Sequence, residues 1–239
     1  MLNNHLASFA GLLIAGGFAT TAANAQIVFS EDFDDAEGQN VADVVPDVGD
    51  QFRQPGGPAV VVESGIIDTT GEARTIFGDF DATTALSASS PFLDVTADIT
   101  LLSLNGGYAG ISLFTGTQEQ FFFGDTGLGG ENDFFGIDGP SITGQLSDTT
   151  DLGLYTFRYD FNTGDVALYS GDTASGTPVV SASGAAGLNF DRFRIENGSG
   201  GDIAISSINI AVNANAVPEP ATVTAGLALG MGLLARRRR

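Results

Sequence analysis

The residues with the most chemical potential in this chain are carboxylates, and they are densest in Glu31-Asp32-Phe33-Asp34-Asp35-Ala36-Glu37. Glycoside hydrolysis with retention needs two carboxylates about 5 Å apart across a sugar. On a strand, alternate residues share a face, so such a pair would come from positions such as Glu31, Phe33 and Asp35. The middle position here is apolar, and the run reads instead as a charged strand edge that discourages pairing with other chains. Calcium chemistry needs roughly six to eight oxygen ligands. Two places offer carboxylates for it: Asp32, Asp34 and Asp35, and the Gly-rich stretch holding Asp125, Glu131, Asp133 and Asp138. Neither has the spacing of a helix-loop-helix calcium loop. Counting from Asp32, the fifth position is Ala36 and the glycine, Gly38, falls seventh instead of sixth. Calcium is the one cofactor these residues point to.

Aromatic residues flank the second acidic stretch, as Phe121-Phe122-Phe123 and Phe134-Phe135. Alternate phenylalanines on a strand are core residues, but three in a row must place at least one ring on the opposite face. If that face is wet, the ring marks a binding surface. Asn197-Gly198-Ser199 matches the glycosylation pattern, and Gly198, Gly200 and Gly201 read as the turn before the last strand.

Composition removes most other chemistry. The 239 residues contain no Cys, no Lys and no Trp, and the one histidine is His5. Beyond residue 25 there is no imidazole, thiol or amine side chain. That excludes Ser-His-Asp and Cys-His nucleophile systems, His-ligated zinc and Schiff-base chemistry. The chain has 29 acids against nine bases, all arginine, and four of these are Arg236, Arg237, Arg238 and Arg239. Residues 26–217 thus hold 28 acids and five arginines. A surface so negative repels nucleic acid and anionic lipid.

The elements that must position these residues are strands. Residues 91–103 alternate, with Leu93, Val95, Ala97, Ile99 and Leu101 against Asp94, Thr96, Asp98 and Thr100. Residues 108–114 and 119–123 form the next two strands. Residues 154–170 form a hairpin, with Tyr155, Phe157, Tyr159 and Phe161 on one face and a turn at Asn162-Thr163-Gly164-Asp165. In the final strand, residues 202–212, Ile203 and Ile205 fall on one side and Ile208 and Ile210 on the other. Shorter strands are expected at 27–29, 59–62, 66–68, 75–77, 134–137, 178–181 and 192–196. About a dozen short strands without helical period indicate two packed antiparallel sheets. A core of this size can hold together without disulfides.

The ends read differently. An apolar stretch at 6–19 leads to Ala23-Asn24-Ala25, the small-x-small site of a signal peptidase, with Gln26 as the new N-terminus. No Lys or Arg precedes that stretch, which departs from the usual signal pattern. At the other end, Pro218-Glu219-Pro220 precedes an apolar run at 221–235 and the four closing arginines. That order resembles the PEP-CTERM sorting signal of Gram-negative-type bacteria. The resemblance covers about 22 residues. It implies an exosortase-like membrane enzyme as partner, Pro218, Glu219 and Pro220 as its recognition motif, and a destination at the cell surface or in the extracellular matrix. Fifteen apolar residues in a helix span about 22 Å, against a hydrocarbon core of about 30 Å. The closing arginines favour a cytoplasmic C-terminus for this membrane stop.

The middle of the chain resembles a concanavalin-like jelly roll of the laminin-G type. The likeness rests on the opening FSEDFDD, the central YTFRYDFNTGDVALYSG and the closing FRIENGSGGDIAISSINIAV. It implies an all-β, two-sheet antiparallel β-sandwich with glycan-binding or adhesive roles. The expected organisation is a signal helix at 1–25, the sandwich at 26–212, a linker at 213–216 and the sorting tail, with its apolar helix, at 217–239. The expected function is non-catalytic extracellular polysaccharide binding. A carboxylate-based carbohydrate-active enzyme and a purely structural matrix component are the alternatives.

Overall fold

The computed structural model describes residues 25–104, 107–127, 135–140, 142–198 and 200–213. The signal segment, the PEP motif, the apolar tail, the linker residues after Asn213, and Glu131, Asp133 and Phe134 lie outside them. Among the described residues no helix is long and apolar enough to cross a membrane.

Fourteen strands are described, with one 3-10 turn at Val41–Asp43. The strands are β1 (Gln26–Glu31), β2 (Val62–Glu63), β3 (Ile66–Asp68), β4 (Thr75–Asp79), β5 (Phe92–Leu104), β6 (Tyr108–Thr115) and β7 (Gln118–Asp125). They continue as β8 (Gly136–Asp138), β9 (Gln145–Leu146), β10 (Gly153–Asp160), β11 (Asp165–Ser170), β12 (Val180–Ser183), β13 (Arg192–Gly198) and β14 (Gly201–Asn213). All pairings are antiparallel, in two sheets. The first runs β12-β11-β10-β5-β14-β3-β2, with β1 also on β14; the second runs β4-β13-β6-β7-β8-β9. The expected all-β, two-sheet architecture is present. The two-residue β9 and the 3-10 turn carry no period that a sequence could announce.

One core joins the sheets. Phe123 of β7 stacks on Phe157 of β10, with centroids 4.9 Å apart and planes 8° from parallel. Phe135 stacks on Tyr155 at 4.2 Å, and Phe29 of β1 meets Phe193 of β13 edge-on at 4.7 Å. Each fully buried ring contributes about 1.5–3 kcal/mol over its exposed state. The buried tyrosines keep their hydroxyls satisfied. Tyr155 donates to the Asp151 carbonyl at 2.6 Å, and Tyr159 donates to the Ala185 carbonyl at 2.9 Å.

Alternation holds along β5 from Leu93 to Ile99, with Leu93, Val95, Ala97 and Ile99 all buried. It then fails. The β5–β14 register slips between Leu101 and Ile99 on one strand and between Ile205 and Ser207 on the other. Thr100 and Ser206 are the skipped residues, and each resets the parity of the residues beyond it. Leu101, expected in the buried row, is half-exposed, and Leu102 packs against the core in its place. The reset also corrects the expectation for β14. Ile203, Ile205, Ile208 and Ile210 all lie in the one core, because the Ser206 bulge turns the second pair to the same side as the first.

Glu31 departs from the expected solvated edge. It is buried, and its Oε1 accepts the Phe33 N–H at 2.7 Å. Phe33 is held at φ 59°, a left-handed conformation rare for a bulky residue, while its ring is buried in the core. Burial, helped by the nearby Asp47, Asp35 and Asp32 charges, raises the Glu31 pKa against the opposing Phe33 hydrogen bond.

Candidate functional site

A cavity of about 520 Å³ opens on the outer face of the second sheet, over β6, β7 and β13. Its walls include Tyr108, Phe122, Glu119, Asp138, Arg194 and Glu196. Register brings them together. Ser112 of β6 pairs with Arg194 of β13 on one side and with Phe122 of β7 on the other, so all three point outward. Glu196 lies two residues beyond Arg194 on the same face.

The phenylalanine triple behaves as parity requires. Phe121 and Phe123 are fully buried, while Phe122 turns to the outer face, where its ring meets Tyr108 edge-on at 6.2 Å. Glu119 reaches that face by a different route. Strict alternation from Phe122 would send Gln120 outward and Glu119 into the core. The register shift opposite Leu113 and Phe114 skips Gln120 and pairs Glu119 with Phe114. The bulge therefore delivers a carboxylate to the cavity that sequence parity assigns to the interior.

The polar groups form one network. Ser112 Oγ donates to Glu119 Oε1 at 2.7 Å and lies 3.3 Å from Glu196 Oε1. Arg194 Nη2 donates to Glu119 Oε2 at 3.0 Å and to Ser112 Oγ at 3.3 Å, and it pairs with Glu196 Oε1. The guanidinium also lies 4.9 Å over the Phe114 ring. Two carboxylates thus share one arginine and one hydroxyl. Burial raises the Glu196 pKa most; the Arg194 charge opposes it and Glu119 adds to it. The Tyr108 hydroxyl is also shifted up, by burial first and then by the charge of Glu196.

Glycines lie beneath the two rings. A Cβ on Gly198 would stand 2.6 Å from the Tyr108 ring, and one on Gly110 would stand 2.7 Å from the Phe122 ring. Only bare backbone lets both rings lie flat on these strands. Tyr108 retains 38% exposure, so part of its ring is open to a ligand.

Outside this cavity, the same face carries Arg53 and Arg192, both paired with Asp79 and both 5.5 Å over the Phe77 ring. Burial raises the Asp79 pKa, but the two arginines outweigh it and hold the carboxyl below its ordinary value. On the first sheet, Arg158 makes a two-pronged pair with Asp94, both bonds 2.6 Å.

Of the carboxylates singled out as calcium ligands, Asp32, Asp34, Asp35, Asp125 and Asp138 are described, and Glu131 and Asp133 lie outside the described residues. Asp32 Oδ1 accepts the Asp34 N–H at 3.1 Å in a local turn, and Asp32, Asp34 and Asp35 are exposed. Asp125 is buried at the end of β7 and accepts the Gly127 N–H at 2.9 Å. Asp138 lies at the end of β8 and reaches the cavity wall. Among the described residues no three acidic side chains are arranged to hold a metal ion. Ala25 and Gln26 lead into β1, whereas Ala23 and the sorting motif lie outside the described residues. Asn197 of the glycosylation pattern is buried, and its amide donates to the Gly201 carbonyl at 2.6 Å and to that of Glu72 at 3.1 Å.

No protein-family model matches this chain, and no curated protein matches it. Solved structures do. The receptor-binding domain of botulinum neurotoxin mosaic serotype C/D aligns with 77% of this chain at 11% identity and a TM-score of 0.51. The match covers 46% of the neurotoxin chain, so this chain spans about half its length. The CBM2 module of the evolved Dit of Lactobacillus casei phage J-1 aligns over 82% of this chain and 99% of its own, at 15% identity and a TM-score of 0.47. A glycosyl hydrolase family 16 protein of Mycobacterium smegmatis aligns over 77% of this chain and 100% of its own, at 9% identity and a TM-score of 0.46. At these identities the likeness concerns fold alone. The structural neighbours of this chain are jelly-roll, concanavalin-like sandwiches.

Proposed function

We propose that this chain is an exported glycan-binding protein of the cell surface or extracellular matrix, which holds a saccharide in the Tyr108–Phe122 cavity without cleaving it. The observation that carries this reading is the cavity itself. It has a partly open aromatic ring in Tyr108, beside Phe122, and convergent hydrogen-bonding groups from Glu119, Arg194 and Glu196. Sugars bury their apolar ring faces on aromatic rings and offer hydroxyls to fixed carboxylates and guanidinium groups. Retention without turnover fits the Arg194 contact to both glutamates, which ties them to each other instead of leaving one to each side of a scissile bond. Export rests on Ala23 to Gln26, and sorting on the PEP-CTERM-like order of Pro218, Glu219, Pro220 and the terminal arginines. Signal peptidase and an exosortase-like enzyme are the partners those segments imply.

One observation favours a second reading. Glu196 is a buried carboxyl with a raised pKa beside a second carboxylate, the pairing a glycosidase uses as acid and nucleophile. A panel of polysaccharides, presented to the full chain with calcium and with chelator, separates the two. Saturable binding that weakens about tenfold or more in Tyr108→Ala, with no new reducing ends, is the expected result. Release of reducing ends that stops in Glu196→Gln would replace binding with catalysis. No binding to any member would overturn the glycan reading.

A further inference from the structure

Three carboxylates, Glu119, Asp138 and Glu196, line the cavity against one guanidinium, Arg194. A neutral sugar needs no such excess. The arginines Arg53 and Arg192, which share Asp79, are the other cations of this face, but Arg192 lies four residues along β13 from Glu196, about 13 Å away. They leave the cavity end negative and make the β4 end the less negative one. Arg194 is already committed to both glutamates and to the Phe114 ring. It is therefore a poor anchor for an acidic sugar, whose carboxylate would have to displace Glu119 and Glu196 from it. A cation has to displace neither glutamate: a carboxylate accepts several hydrogen bonds, so an ammonium can join Arg194 at Glu119 and reach Asp138 on the same wall. Tyr108 adds a partly open ring, whose face attracts an ammonium as well as the C–H face of a pyranose.

On this basis, and resting on the glycan-binding reading above, we infer that the cavity selects saccharides carrying a free amine, such as glucosamine units, over their N-acetylated and neutral counterparts. The ammonium group is placed toward Glu119 and Asp138, and the pyranose face toward Tyr108. The occupant is a cationic glycan, matched to a chain whose acids outnumber its bases 29 to nine.

The test uses the full chain and short, defined oligosaccharides, so that bulk attraction of a long polycation to an acidic protein plays no part. Glucosamine, N-acetylglucosamine and glucose oligomers of equal length are titrated at pH 6 in moderate salt. The glucosamine oligomer is expected to bind at least tenfold tighter than the other two. Glu119→Gln and Asp138→Asn should each shrink that preference several-fold, whereas Asp165→Asn, on β11 of the other sheet, should leave it unchanged. Circular dichroism of each variant checks that it is folded. Equal affinity for all three oligomers would overturn the amine preference and leave the glycan reading intact. An equal loss in Asp165→Asn would assign the preference to overall charge and overturn the cavity's role in it. Binding of none would overturn both readings.

Discussion

Gly198 lies directly beneath the ring of Tyr108: a Cβ at that position would stand 2.6 Å from two ring carbons. The contact is with the far end of a half-exposed side chain, which can swing away. Gly198→Ala is therefore expected to cost less than about 1 kcal/mol in stability while moving the aromatic wall. Glycan affinity should fall about tenfold or more with the melting temperature nearly unchanged. Paired titration and thermal melts measure both.

Adjacent phenylalanines should separate core from site. Phe123→Ala removes a ring stacked on Phe157 between the sheets and should cost about 3–5 kcal/mol. Phe122→Ala removes a ring that faces the cavity, and should cost at least about 1 kcal/mol less while weakening glycan binding. Urea unfolding gives the first comparison and titration the second.

Asn197 ties the 69–74 segment to the β13–β14 turn. Besides its donor bonds, its Oδ1 accepts the Arg74 N–H at 2.9 Å. Asn197→Ala should cost about 2–3 kcal/mol, because buried backbone groups lose their partners. Asn197→Asp keeps the shape but sets a carboxylate against carbonyl oxygens. Its destabilisation should be greater at pH 7 than at pH 4, as chemical denaturation at the two pH values would show.

The pH dependence of the whole fold has a defined sign. Glu31 and Glu196 have raised pKa values, both chiefly through burial. Their contribution is fully present below the ordinary value of 4.5 and is lost as the pH rises through their raised values. Asp79 is lowered by its two arginines despite burial, so its contribution is present above 3.8 and is lost as the pH falls through its lowered value. Urea melts across pH 3 to 8 should show the contribution of these two glutamates falling as the pH rises past 4.5. Glu31→Gln should flatten that decline.

Ser206 is the bulge that turns Ile208, Ile210 and Val212 inward. Deleting it would send that row to solvent, and the deletion variant is expected not to fold. Ser206→Ala keeps the chain length and loses only the 2.8 Å bond to Asp98. It should fold with a cost of about 1 kcal/mol. Expression as soluble monomer and near-ultraviolet circular dichroism distinguish the two.

Sequence alone determined the features that depend on local period. Alternation placed Leu93, Val95, Ala97 and Ile99 on a buried face, and the hairpin turn at Asn162-Thr163-Gly164 was marked by its residues. The parity of three consecutive phenylalanines required one ring to face outward, and Phe122 does. Composition ruled out imidazole, thiol and amine chemistry in the domain. Tertiary structure alone decided the rest. Glu119 and Glu196 belong to strands far apart in the chain, and only the β13-β6-β7 order sets both against Ser112. Neither lies in a carboxylate-rich run, so local density pointed to Asp32, Asp34 and Asp35 instead. Bulges hid the remainder. A skipped residue at Gln120, Thr100 or Ser206 inverts every side chain beyond it, and it arises from pairing across strands, not from a pattern within one.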